Sequence, residues 1–187
     1  MLFSEFDGNV KIVSVRDPSQ ITNLIDDEEA YEKISTFCIH PSKNEIVVAT
    51  AKFSLRHWDL ESKTCIRNIK AHKMPILCME YDNTGTLVAT GSADRTVRVW
   101  DIAKGYCTHS FTGHTDLVRT VSFQLQDKKL RVLSTSDDAS IRIHDLTQNA
   151  TVAVFNEHVG LPTSLVVTRN ESVLISAGRD KVGVCIA

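Results

Sequence analysis

Four times along this chain a short apolar strand reaches the same kind of ending: Phe53-Ser-Leu-Arg-His-Trp58-Asp59-Leu60, Thr96-Val-Arg-Val-Trp100-Asp101-Ile102, Ser140-Ile-Arg-Ile-His144-Asp145-Leu146 and, more faintly, Asn9-Val-Lys-Ile-Val13-Ser14-Val15. Positions 13, 58, 100 and 144 stand 45, 42 and 44 residues apart. A period in the low forties marks an array of one supersecondary unit, so the repeat constrains the fold before any single residue does. It also favours binding over catalysis, because an active site needs its residues once.

Within the clearest unit, 72–112, alternation and turn residues predict strands at Pro75–Tyr81, Leu87–Ser92, Thr96–Trp100 and Tyr106–Phe111, with turns at 82–85 and 93–95. Four short antiparallel strands per period make one blade of a β-propeller. The expected fold class is therefore all-β: an incomplete propeller, a little over four repeats of about 43 residues. Residues 1–187 read as one partial propeller, with 8–25 the end of one blade, 30–69, 72–112 and 114–156 full repeats, and 158–187 a partial repeat. A closed four-bladed ring, in which 8–25 complete the blade begun by 161–178, is the alternative; it leaves a strand at 181–187 unused.

A second constellation recurs with the same period. His72 precedes Asp94 by 22 residues, His114 precedes Asp138 by 24, and His158 precedes Asp180 by 22; a hydroxyl residue, Thr90, Ser134 or Ser176, stands four before each Asp. A buried imidazole needs both nitrogens placed, and a turn carboxylate, a strand hydroxyl and an indole N–H supply the partners for a closed network. Trp100 and Trp58 provide the indole, and His144 replaces it in the fourth unit while keeping a ring N–H. The second unit departs from the pattern: Lys52 stands at the turn-Asp station and Val48 at the hydroxyl station, so packing must hold it. These trios have the residue types of a catalytic triad, but three copies at blade spacing, with no GxSxG-type motif, argue for scaffolding. Lys11, Arg56, Arg98 and Arg142, each two residues before the marked station, read as long stems packed between blades.

The composition narrows the function classes further. A formal charge of −2 and a pI near 6.4 lack the basic footprint of a nucleic-acid-binding domain. The N-terminus has no secretory pattern and no stretch approaches a membrane span, so the chain reads as soluble and intracellular. Cys38, Cys65, Cys78, Cys107 and Cys185 are odd in number and never paired as CxxC, which suggests buried, reduced thiols. No metal or cofactor ligand set is visible. The acidic run Asp26, Asp27, Glu28, Glu29 and the loop cations Lys73 and Arg95 are candidate partner-facing residues.

Gly113-His114 before a first strand, the Asp of the tight turn and the closing Trp100-Asp101 resemble the WD-repeat family. The runs 72–102, 136–143 and 176–181 are similar to the first propeller of a WD-repeat component of the nucleolar small-subunit processome. That resemblance implies a non-enzymatic scaffold whose partners are other processome subunits and, indirectly, a box C/D guide RNA particle and pre-ribosomal RNA. It implies nuclear, nucleolar residence, with no cofactor, small-molecule substrate or membrane. Members of that group carry two propellers and a C-terminal helical region. The competing reading is a WD-repeat adaptor elsewhere, as ubiquitin-ligase substrate receptor or G-protein-beta-like signalling scaffold.

Overall fold

Every strand pairing among the described residues is antiparallel and joins chain neighbours, as short turns dictate. The computed structural model describes residues 2–4, 10–13, 19, 21–23, 33–126, 128–168, 173–180 and 183–186. Three central sheets have four strands each. The first comprises β4 (Ile34–Ile39), β5 (Glu45–Thr50), β6 (Ser54–Asp59) and β7 (Thr64–Lys70). The second comprises β8 (Ile76–Tyr81), β9 (Leu87–Ser92), β10 (Val97–Asp101) and β11 (Tyr106–Phe111). The third comprises β12 (Val118–Gln126), β13 (Lys129–Ser136), β14 (Ile141–Asp145) and β15 (Ala150–Phe155). A three-stranded sheet stands at each end of the chain: β1 (Leu2–Ser4), β2 (Val10–Val13) and β3 (Ile21–Asn23), then β16 (Pro162–Val167), β17 (Leu174–Gly178) and β18 (Gly183–Ile186).

The terminal sheets overturn the four-bladed ring. β18 takes the place beside β17, and β2 pairs with β1 and β3 in a sheet of its own, so neither set of strands completes the other. The N-terminal sheet also starts before residue 8, because Leu2 pairs with Ile12 and Ser4 with Val10. Three residues are too few to show alternation in sequence. β12 and β13 are the longest pair among the described residues, running to Gln126 and Lys129, because alternation continues through Leu125 and Leu130.

The first strands form the inner layer: β8 contacts β4 on one side and β12 on the other, and β12 contacts β16. Each carries a bulge at one station, between Ile34 and Thr36, Ile76 and Cys78, Val118 and Thr120, and Pro162 and Ser164. A bulge adds a residue and re-aims its side chain, so Ser35, Leu77, Arg119 and Thr163 occupy equivalent, displaced positions.

Among the described residues three apolar clusters lie between blades, and a fourth, Ile34, Ile46, Val48 and Trp58, lies within the first full blade. Val47, Ala49 and Leu55 of the first full blade pack on Ile76, Tyr81, Val88 and Trp100 of the next. Ala89, Val97 and Val99 meet Val118, Val121 and Val132; Leu133 and Ile141 meet Leu174, with Leu165 and Val167 against them. The forward face of each blade is thus buried by its successor. In register, Val47, Ala89 and Leu133 are each 0% exposed, whereas Ile175, at the same station of the last sheet, is 45% exposed. The array is an open one. Truncating Leu133 to Ala is expected to cost about 2–5 kcal/mol, the range for a buried leucine. Ile175→Ala should stay within about 0.5 kcal/mol, as for other surface substitutions; urea melts of both variants check the contrast.

Candidate functional site

The three expected networks form, each inside one blade. His72 donates through Nδ1 to Asp94 Oδ2 at 2.9 Å, and its Nε2 lies 2.8 Å from Thr90 Oγ1. The Trp100 indole N–H donates to that same hydroxyl at 3.0 Å. A carboxylate only accepts, so His72 must be protonated on Nδ1, and Nε2 must accept from Thr90. His114 repeats this with Asp138 at 3.0 Å and Ser134 at 2.8 Å, and His158 with Asp180 at 2.9 Å and Ser176 at 2.7 Å.

Asp94 and Asp138 also build the turns that present them. Asp94 Oδ1 accepts from Thr96 N and Thr96 Oγ1 at 3.1 and 2.6 Å, an Asx turn that leaves Arg95 at φ 67°. Asp138 does the same for Ser140, leaving Ala139 at φ 64°. Oδ2 of Asp94, Asp138 and Asp180 reaches the lead-in segment: Lys73 N at 3.3 Å, Thr115 N at 2.9 Å and Val159 N at 3.1 Å. One carboxylate therefore ties a turn to the segment entering the first strand.

His144 takes the tryptophan's part in full. Ser134 already donates to His114, so His144 Nε2–H must donate to Ser134 Oγ at 3.0 Å, leaving Nδ1 to accept from Thr151 Oγ1 at 3.0 Å. Its ring stacks on Phe111 of the preceding blade at 4.6 Å. The smaller ring thereby gains an apolar contact between blades.

The second unit fails where expected. Trp58 is buried among Ile34, Ile46 and Val48, and its Nε1 is buried without a partner among the described residues. Val48 has no hydroxyl to offer. Thr50 and Ser54 bond to each other instead at 2.8 Å, and His57, on the opposite strand face, reaches Glu45 at 2.9 Å. Two of the row, Arg98 and Arg142, behave as packed stems: Arg98 Nη1 donates to Ala71 O at 2.8 Å, and Arg142 closes over Gly113, while the Lys11 side chain lies outside the described residues. That glycine has φ 131°, and a Cβ there would stand 2.4 Å from the guanidinium.

Among the other sequence candidates, Lys73 and Arg95 are exposed, while Asp26, Asp27, Glu28 and Glu29 lie outside the described residues. Cys38, Cys65, Cys78 and Cys107 are free; instead of being buried, Cys38, Cys78 and Cys107 are half-buried and Cys65 is exposed, on the outermost strand β7. Burial pushes the Cys78 thiol up to about 12, far from a reactive thiolate. No cluster of metal-ligating residues exists among the described residues. Two features escaped the sequence. Ser92 and Ser136 brace the turns, accepting from Asp94 N and Asp138 N at 3.1 and 3.2 Å. Arg119 grips Asp137 through Nε and Nη2 at 2.9 and 2.6 Å. A serine two residues before Asp94 and before Asp138 was a readable signal for the first; nothing in the spacing announced the second.

Comparison with known proteins fits this geometry. The family model "WD domain, G-beta repeat" matches residues 63–101 and 105–145. The chain carries WD repeats. It is similar to Transducin beta-like protein 3 of Bos taurus and of Rattus norvegicus, at 33% and 35% identity over 97% of this chain. It is also similar to the Periodic tryptophan protein 2 homolog of Caenorhabditis elegans, at 31% identity over 64% of the chain. The chain spans 22% of the length of the Transducin beta-like relatives and 13% of the third.

The networks set the response to substitution and to pH. Thr90→Val strands the Trp100 N–H and His72 Nε2 and should cost about 1–3 kcal/mol; Val48→Thr offers Trp58 its missing acceptor and should stabilise by about 0.5–1.5 kcal/mol, both read by denaturant melts. Stability should also fall with pH. Burial, with His114 and Arg142 nearby, holds His144 down at about 3 against 6.5 for a free imidazole. Burial likewise lowers His72 and His114, against the raising pull of Asp94 and Asp138. Below pH 6.5 the unfolded chain therefore takes up protons that the folded chain refuses, and stability is lost as pH falls toward 3. Burial raises Asp94 and Asp138, but hydrogen bonds from Thr96 and His72, and from Ser140, Thr115 and His114, outweigh it and hold both at about 2. Their contribution, present above 3.8, is lost between there and about 2. Urea midpoints between pH 7 and 4 should show the first loss, with a shallower slope in His144→Gln.

Proposed function

We propose that this chain is a non-enzymatic docking scaffold of the nucleolar small-subunit processome, acting in pre-ribosomal RNA processing and small-subunit biogenesis. The observation that carries the reading is the similarity to Transducin beta-like protein 3 over 97% of the chain. It accords with the resemblance of runs 72–102, 136–143 and 176–181 to a processome propeller, and the Periodic tryptophan protein 2 homolog adds a second relative. The chain spans only 22% of the first relatives, so the role of the whole assembly belongs to this proposal.

The site chemistry supports a scaffold. Every catalytic-looking trio has its histidine buried and both ring nitrogens committed, with the hydroxyl bonded inward. Such a hydroxyl has no path to a substrate carbonyl. Each Nε2 does stand where a base would, but Thr90, Ser134 and Ser176 are at most 1% exposed, so a substrate cannot reach them. Direct partners on this reading are other processome subunits, with guide RNA and pre-ribosomal RNA reached through them. No helix of the described residues is long and apolar enough to cross a membrane. Affinity purification of the tagged chain from growing cells should recover processome proteins and a box C/D guide RNA. Recovery of cullin or G-protein signalling components in their place overturns the assignment in favour of an adaptor in another pathway.

A further inference from the structure

The turns between second and third strands and the segments leading into first strands lie at one end of every blade, joined by Ala51 N to Lys33 O, Ala93 N to Pro75 O, Asp137 N to Leu117 O and Arg179 N to Leu161 O. Among the described residues, this rim exposes Lys33, Lys52, Lys73, Arg95, Arg119 and Arg179, against the exposed acids Asp116 and Glu157. The chain as a whole carries −2. The cations are therefore concentrated where the turn carboxylates are consumed internally.

One concavity on this rim is lined by Arg119, Asp137, Leu161, Pro162, Thr163 and Arg179 and encloses about 220 Å³. It straddles the seam between the sheet β12–β15 and the sheet β16–β18. Two of its residues, Arg119 and Thr163, sit at the recurrent bulge, which aims them outward. Asp137 holds the Arg119 guanidinium by Nε and Nη2, leaving Nη1 undirected by that pair, and fixing the group before any ligand arrives. Arg179 is held on the far wall by its backbone bond to Leu161 at 3.0 Å. Two guanidiniums and one carboxylate leave the lining a single positive charge, matched by one carboxylate better than by a doubly charged phosphate. Asp116, near enough to act on Arg119, opposes more negative charge. Beside the cleft Val159 is 94% exposed, an apolar knob on a charged rim.

We propose that this cleft receives an aspartate or glutamate carboxylate from an extended acidic segment of a partner protein, with Arg119 and Arg179 as the paired donors and Val159 covered by the adjoining residues. The proposal rests on the scaffold reading above and gives it a contact surface. Arg–carboxylate pairing supplies direction as well as charge, so a fixed arginine selects for a group rather than for a general field.

The test uses the full chain and a fluorescein-labelled hexaglutamate peptide, followed by fluorescence anisotropy. Arg179→Gln should weaken binding about tenfold, as loss of one charge-assisted contact. Its melting curve should be unchanged, because that side chain is exposed. Lys129→Gln, at the opposite end of the eight-residue β13 from the rim, should alter binding less than about twofold, beyond the reach of a screened charge. Absence of peptide binding at millimolar concentration, or binding indifferent to Arg179→Gln, overturns the proposal. So does a hexauridylate RNA or a phosphoserine peptide that binds more tightly with the same dependence on Arg179. The assay is independent of the co-purification experiment, so either reading can fail alone.

Discussion

In each regular blade one hydroxyl of the second strand is the point on which the others hang. Thr90 Oγ1 receives the Trp100 indole and gives its proton to His72; Ser134 does the same between His144 and His114. Both side chains are wholly buried, so water cannot stand in for a lost partner. The hydroxyl fixes the histidine, the histidine fixes the carboxylate, and the carboxylate shapes the turn and pins the incoming strand. A blade that buries its apolar surface mainly against its neighbours gains its internal register from this polar chain.

The apolar term works across the seams. Small or aliphatic residues on a forward face, Val47, Ala89 and Leu133, meet the aliphatic and aromatic rear of the following blade. Arg98 and Arg142 reach back over the crossover from the preceding outer strand and tie adjacent blades at the rim. Order within a blade is thus polar and order between blades mostly apolar. The two are separable: the second unit lost the polar half, with Trp58 unpartnered, and still stacks with the rest.

Much of this was legible in the residues. The period placed the strands of the unit 72–112 to within a residue, because turn carboxylates and glycines punctuate alternating runs. The networks were readable because a spacing of 22 to 24 residues from His to Asp spans one hairpin plus a lead-in. The defect at Val48 and the substitution at His144 could likewise be foreseen from residue type. What stayed hidden depends on pairing between segments whose spacing carries no periodic mark. The strand Leu2–Ser4 is too short to alternate, the Arg119–Asp137 grip depends on a bulge, and the exposure of Cys65 follows from its place on the outermost strand.

The fourth unit carries a further consequence of its two histidines. From Thr151 through His144, Ser134 and His114 to Asp138, each group passes its proton in the same sense, and every step is fixed by the one after it. The result is a polarised wire running from the outer strand to the rim, with all its dipoles aligned and a negative charge at its end. No single ring can turn over without reversing its neighbours, so the five side chains have one orientation or none. The blade is therefore stiff in a directional way, and the carboxylate at its rim is set from the far side of the sheet.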